Sequence, residues 1–213
     1  FMIFENAYKN KTVIITGHTG FKGTWLAAWL NQLGANVVGI ALDPPTEPSH
    51  FSAIKLNKEM NDMRIDIRDR VALESAIVDA EPDFVFHLAA QALVRSSYDN
   101  PIETWNINTM GTLHVLEALR RLKKKCSAVI ITSDKCYDNV EWVWGYREPD
   151  NLGGPDPYSA SKGAAELAIR SYIKSYFPSQ TSQIRIASAR AGNVIGGGDW
   201  ALDRIVPDCV KAW

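Results

Sequence analysis

Tyr158 and Lys162 stand four residues apart in the segment YSASK, a spacing that sets both on one face of a helix. A tyrosine near its reference pKa of about 10 is a poor base at neutral pH. A neighbouring lysine ammonium, together with a positively charged ring such as an oxidised nicotinamide, favours the phenolate and lowers that pKa, so the pair could take a proton from a substrate hydroxyl. Taken alone the spacing is common by chance and fits surface packing equally well. A second cluster, TSDKCYDN (132–139), ends an apolar run with Ser133, Asp134 and Lys135 in succession. That places a hydroxyl, an acid and a lysine where a buried strand should stop. The plain alternative is a polar turn.

The third cluster is TGHTGFKG (16–23), in which Gly17, Gly20 and Gly23 form G-x-x-G-x-x-G between a β-branched run and a helical pattern. Glycine permits the tight turn and a close approach of backbone to a pyrophosphate, and the helix N-terminus meets the anion with free N–H groups. The alternative is a set of turn glycines without a ligand. His18 stands where it could touch a phosphate. Asp43 ends the second strand pattern about 20 residues beyond Gly23, where an acid accepts from a ribose 2′-hydroxyl and repels a 2′-phosphate. NAD is therefore expected over NADP. Asp43 also fits turn chemistry ahead of Pro44 and Pro45. Asp66, with Ile67, closes the third strand pattern and is placed either to meet an adenine or to cap the next helix.

Positioning these residues requires a particular order of elements. Strands are expected at 12–16, 36–42, 63–67, 83–89, 127–133 and 183–190, and helices at 21–34, 48–56 (weak), 69–80, 101–122 and 157–176. Gly34 is the expected C-terminal cap of the first helix. Strands alternating with helices imply an α/β fold, a Rossmann-like doubly wound parallel sheet with helices on both faces. Such sheets bind ligands at the carboxyl ends of their strands, near the point where strand order reverses. Internal repeats and low-complexity tracts are absent from the sequence.

The bulk numbers exclude several classes. The chain has 213 residues, 46% of them hydrophobic and 22% charged, which suits a folded domain with a sizeable core. A net charge of −1 carries no footprint for nucleic acid or an acidic membrane surface. The run Lys123-Lys124-Lys125 reads as a solvated helix end. No segment approaches the roughly 18 apolar residues of a membrane span, and Phe1-Met2-Ile3 is too short for a signal peptide. Cys126, Cys136 and Cys209 show no metal-ligand spacing and cannot all pair, so no metal site and a reduced, cytoplasmic setting are expected.

The glycine loop, HLAAQ (87–91), NTMGT (108–112) and YSASK together resemble the extended short-chain dehydrogenase/reductases, over essentially the whole chain. The resemblance implies that Phe21, Lys22, Leu88, Ala89, Ala90, Tyr158 and Lys162 contact NAD beside the glycines. It also implies that Asn108 supports Lys162, often through water, and that Gln91 and Arg95 lie near cofactor and sugar. Ser133 falls where the family places a hydroxyl for the 4-hydroxyl of a nucleotide sugar. Sugar-nucleotide 4,6-dehydratases add an acid pair, usually Asp-Glu, just after it. Here the pair is Asp134-Lys135, which with EWVWGYRE (141–148) and RAGNVIGGGDW (190–200) is similar to the branch that acts on CDP-glucose.

By that resemblance Tyr158 starts the oxidation of carbon 4 and Asp134 protonates the departing 6-hydroxyl. Lys135 takes the carbon-5 proton or, as an ammonium, stabilises the enolate. Asn193 becomes a candidate for the diphosphate, and Arg204 either meets a phosphate or lies on the surface. Trp142, Trp144 and Tyr146 either wall the sugar pocket or pack. The implied organisation is an NAD-binding domain at 1–190 carrying the catalytic residues, with 191–213 opening a substrate-binding region that continues in related enzymes. The implied partner is a second copy, joined through the helices at 101–122 and 157–176 as a four-helix bundle. A 4-epimerase, a simple reductase and a non-catalytic dinucleotide module remain the other readings of these residues.

Overall fold

The structure is a computed structural model that describes residues 3–178 and 181–213. Phe1 and Met2 lie outside them. Six strands form one sheet in the order β3-β2-β1-β4-β5-β6. They are β1 (Thr12–Thr16), β2 (Asn36–Ala41), β3 (Asn61–Arg64), β4 (Phe84–His87), β5 (Cys126–Ile131) and β6 (Ile184–Ala189). Every pairing is parallel, with Thr16 opposite both Ile40 and His87, and Ile131 opposite Ala189. Strand order reverses between β1 and β4, so a crevice opens beyond Thr16 and His87.

The strand residues explain the layers. In TVIIT, Val13 and Ile15 point to one face and Ile14 to the other, because strand side chains alternate. Val13 and Ile15 pack with Ala27 and Leu30 of α1 (Phe21–Gln32) and with Phe51 of α2 (His50–Ala53). Ile14, Val85 and Ile130 pack on the opposite face. Their partners there are Leu73 of α3 (Arg70–Ala80), Leu116 and Leu119 of α6 (Gly111–Arg121) and Ile169 of α7 (Pro157–Tyr176). Both faces of the inner strands are thus dry, which accounts for their near-continuous apolar runs. No helix among the described residues is long and apolar enough to cross a membrane.

Several boundaries differ from the sequence expectation. β3 lies at Asn61–Arg64 and not 63–67, because Asp66 turns back onto Arg68 and leaves the ladder. Short helices α4 (Val94–Asp99) and α8 (Ile205–Ala212) were not expected. The long helix is present as α5 (Pro101–Trp105) and α6, but a π-helical turn at Asn106–Met110 joins them. Such turns widen a helix locally and recur at functional sites.

The link between β1 and α1 sets how closely the layers meet. Gly17 has φ +77°, and a Cβ there would lie 2.7 Å from the Ala89 amide nitrogen. A Cβ on Gly23 would collide with the Gly17 carbonyl. Gly20 has ordinary extended φ and ψ, and its nearest neighbour would stand 3.4 Å away. Gly23→Ala is therefore expected to cost about 1–3 kcal/mol through overpacking. Gly20→Ala should stay within about 0.5 kcal/mol. Urea unfolding midpoints of the two variants check the difference, and equal values would contradict the packing described.

Candidate active site

The chain after β5 makes a 3-10 turn at Asp134–Cys136. Ser133 caps it by accepting from the Lys135 amide at 3.2 Å, and donates its own hydroxyl to Asp134 Oδ1 at 3.0 Å. The Asp134 amide donates to the Ala191 carbonyl at 3.1 Å, which extends the β5–β6 pairing past the strand ends. The Lys135 Nζ stands 4.0 Å from Asp134 Oδ1, with the lysine side chain 42% exposed. Ser133, Asp134 and Lys135 all line one cavity of about 870 Å³.

Tyr158 faces them across that cavity from the first turn of α7, whose N-terminus is capped by Asp156. Tyr158 and Lys162 are both buried on one helix face, as their spacing required. Burial pushes Tyr158 above its usual value, while the Ser133 hydroxyl and the Arg204 guanidinium pull the other way. Lys162 itself is lowered to about 8, by burial first and the Lys22 charge second. Burial and then Arg204 also lower Lys22. No described residue hydrogen-bonds the Lys162 ammonium, and Arg204 Nε is buried without a hydrogen-bond partner. Positive charges gathered around a shared space favour an anion there.

The crevice fits a dinucleotide. Helix α1 begins at Phe21 with no side chain capping it, so its first N–H groups remain available to an anion. Gly17 and Gly23 let the backbone close up beneath that point, and Phe21 and Lys22 line the cavity mouth. Leu88 and Ala89 are fixed by their amides donating to Thr16 Oγ1, both at 3.2 Å, and Ala90 follows at the same strand end. Asp43 sits just past β2 with its carboxylate 93% exposed and 3.6 Å from Arg64 Nε, free to face solvent or a ribose. Asp66 is engaged with the Arg68 guanidinium, which holds its carboxyl below the usual range. The helix cap there is Asp69, not Asp66. Ile67 is buried against Gly111.

Asn108 sits in the π turn and is buried, not solvated. Its Oδ1 accepts from the Gln91 amide at 2.9 Å, and its Nδ2 donates to the Gln91 carbonyl at 3.1 Å and to Ser161 Oγ at 2.9 Å. Asn108 therefore ties the loop after β4 to α7 one residue before Lys162. Gln91, expected to meet substrate, spends its side chain on its own loop and on α5, donating to Leu93 O and Thr104 Oγ1 at 3.0 Å each. His18, considered for a phosphate, turns inward to Asp62 at 2.8 Å, because its ring is buried between Gly39 and Phe51. Arg95, Asn193 and Arg204 do line the cavity, Arg95 pairing with Asp203 at 3.0 Å. The rings of 141–148 stack beside the turn: Tyr137 on Tyr146 at 5.1 Å and Tyr146 on Trp142 at 5.4 Å.

His87 was not singled out from sequence, although it opens HLAAQ. Thr112 Oγ1 donates its one proton to Asn108 O at 2.7 Å. Its lone pair must then receive a proton from His87 Nε2 at 3.2 Å, which makes Nδ1 the acceptor from Thr16 Oγ1 at 2.6 Å. A buried chain of fixed polarity so runs from the glycine loop to the π turn.

A family model described as GDP-mannose 4,6 dehydratase matches residues 14–188. The chain is 53% identical to the CDP-glucose 4,6-dehydratase of Salmonella typhimurium, over 100% of this chain and 60% of that protein. Epimerase Mth375 of Methanothermobacter thermautotrophicus superposes with a TM-score of 0.80 at 26% identity, covering 97% of this chain and 60% of that one. MoeE5, solved with UDP-glucose and NAD, gives 0.74 at 25% identity, over 94% of this chain and 60% of its own. The chain thus spans about 60% of the length of these relatives.

Burial and the Lys162 charge lower His87 to about 3, well under its ordinary 6.5. It should remain neutral in the folded protein, with the Nε2–H tautomer and no titration between about pH 5 and 8. Its folded pKa lies below the unfolded one, so the stability tied to neutral burial is complete above about 6.5 and falls as pH drops toward 3. Imidazole nitrogen NMR reads the tautomer and the titration; a His87 signal titrating near 6.5 would contradict the buried chain.

Proposed function

The chain belongs to the GDP-mannose 4,6 dehydratase family, and from that premise we propose that the full-length protein is an NAD-dependent dehydratase converting CDP-glucose to CDP-4-keto-6-deoxyglucose. The observation that carries this is the pairing of an acid and a lysine, Asp134 and Lys135, on the turn that faces Tyr158 across one cavity. An epimerase or a reductase has no departing hydroxyl and no use for that acid. The identity to a CDP-glucose 4,6-dehydratase supports the nucleotide.

The residues that would hold NAD are the first turn of α1 with Gly17 and Gly23 for the pyrophosphate, Asp43 for a ribose, and Lys162 for the other ribose. The chemistry it supplies when bound is reversible hydride acceptance. Ser133 holds the sugar 4-hydroxyl by its own hydroxyl, and Tyr158 takes that proton as carbon 4 becomes a ketone. Lys162 stands one turn from Tyr158 and, as an ammonium, stabilises the phenolate that Tyr158 must present before it takes that proton. The ketone acidifies the carbon-5 proton, which Lys135 takes. Asp134 gives a proton to the departing 6-hydroxyl, and water leaves. Carbon 6 gains the hydrogen that carbon 4 gave up and a proton returns to carbon 5, so carbon 4 ends oxidised, carbon 6 reduced, and the net change is loss of one water.

Arg204, Arg95 and Asn193 are placed to meet the diphosphate. Residues 1–190 form the dinucleotide domain in this reading, and 191–213 begin the substrate-binding part. A second copy is the proposed partner, supported by the exposed Ile102, Trp105, Met110 and Leu167 on the helices of the expected bundle. The free Cys126, Cys136 and Cys209 support a reducing cytoplasm.

Full-length protein incubated with CDP-glucose, UDP-glucose and dTDP-glucose, followed by mass spectrometry, is expected to remove one water from CDP-glucose alone. Tyr158→Phe and Asp134→Asn should each slow that loss by at least about 100-fold, the lower range for a general acid or base. Equal turnover of all three sugars would overturn the CDP assignment. Unchanged rates in both variants would overturn the site.

A further inference from the structure

Glu166 lies one further turn along the face that carries Tyr158 and Lys162, and it is buried. Three donors converge on its carboxylate. Thr132 Oγ1 donates at 2.5 Å, Ser188 Oγ at 3.0 Å and the Arg190 guanidinium at 3.0 Å. Thr132 immediately precedes Ser133, and Ser188 belongs to the end of β6. Arg190 reaches onward to the Glu148 carbonyl at 3.2 Å and lies 4.7 Å over the Tyr137 ring, just past the Asp134–Cys136 turn. One carboxylate therefore joins α7, the end of β5 and the end of β6, the three elements that carry the cavity's reactive groups.

A buried ion pair is an expensive strut. Desolvation of both charges commonly cancels their attraction, and apolar residues of similar volume often serve stability as well. What apolar packing cannot supply is direction. Glu166 orients the Thr132 hydroxyl, which orders the residue before Ser133, and it fixes Arg190 against the ring that follows the turn. It also places a negative charge one helical turn from Lys162, opposing the downward push of burial and Lys22.

We propose that Glu166 is a positioning residue, which through Thr132 and Arg190 sets the Ser133–Asp134–Lys135 turn at its working distance from Tyr158 and Lys162. The role rests on the dehydratase reading above, but the placement it describes can be tested apart from it. Hydrogen exchange reads the turn directly, since the Asp134 amide is bonded to Ala191 O and the Cys136 amide to Ser133 O.

The test uses the full-length protein as Glu166→Gln, Thr132→Val and Thr132→Ser. Glu166→Gln is expected to speed amide exchange at 134–136 at least fivefold while α3 and α6 stay protected. It should lower kcat for water loss at least tenfold with KM within threefold. Thr132→Val should move both readouts the same way, and Thr132→Ser, which keeps the hydroxyl, should restore them. A plain strut would lower the melting temperature and leave kcat per folded molecule unchanged. Wild-type exchange at 134–136 in folded Glu166→Gln overturns the inference, whatever the activity. Should Glu166→Gln not fold, wild-type exchange in Thr132→Val overturns it equally. A wild-type protein that dehydrates none of the sugars defeats the functional reading, and the exchange arm still decides the placement.

Discussion

All of the site's geometry follows from strands that run in one direction. A parallel sheet delivers every strand's carboxyl end to the same edge, so the segments after β1, β4, β5 and β6 must share one crevice. The glycine loop, the Leu88–Ala90 turn, the Ser133–Lys135 turn and the Ala191–Asn193 loop arrive there from four places in the chain. Their mutual distances are then held by pairing that continues beyond the strands, as in Thr132 N–H to Ala189 O at 2.9 Å. Helix α7, which carries Tyr158 and Lys162, is held to those strand ends by separate contacts.

That fastening is polar and buried. On one side Asn108 in the π turn holds Ser161, and Ser161 Oγ in turn donates to the Tyr158 carbonyl at 2.7 Å. On the other side Glu166 holds Thr132, Ser188 and Arg190. Beneath them His87 links Thr16 to Thr112. Each group is fully paired, which is the condition for a buried network to order a structure and not loosen it. At the cavity itself, Arg204 Nε is buried without a hydrogen-bond partner, 3.9 Å from Asp199 Oδ2.

Much of this was legible from residue order. TVIIT, the three glycines and the helical spacing from Phe21 to Gly34 found β1 and α1 because β-branched runs, glycine punctuation and period 3.6 are local signals. Tyr158 and Lys162 share a face because four residues make one turn. β3 was displaced by two residues because a four-residue edge strand carries little pattern, and the Asp66–Arg68 pair ended it early. The π turn left no mark on the apolar period. Gln91 and His18 turned away from the cavity because a side chain follows its packed neighbours, which spacing does not reveal. Glu166 did leave a signal, standing four residues past Lys162, but its partners come from strands separated by more than fifty residues.

The central claim is that one cavity oxidises carbon 4, removes the carbon-5 proton and returns the hydrogen to carbon 6 of the same sugar. CDP-glucose deuterated at carbon 4, given to the full-length protein with NAD, tests it most directly. The expected product has lost one water and carries the deuterium at carbon 6. A dehydrated product with its deuterium lost to solvent, or a sugar inverted at carbon 4 with no water lost, would contradict it.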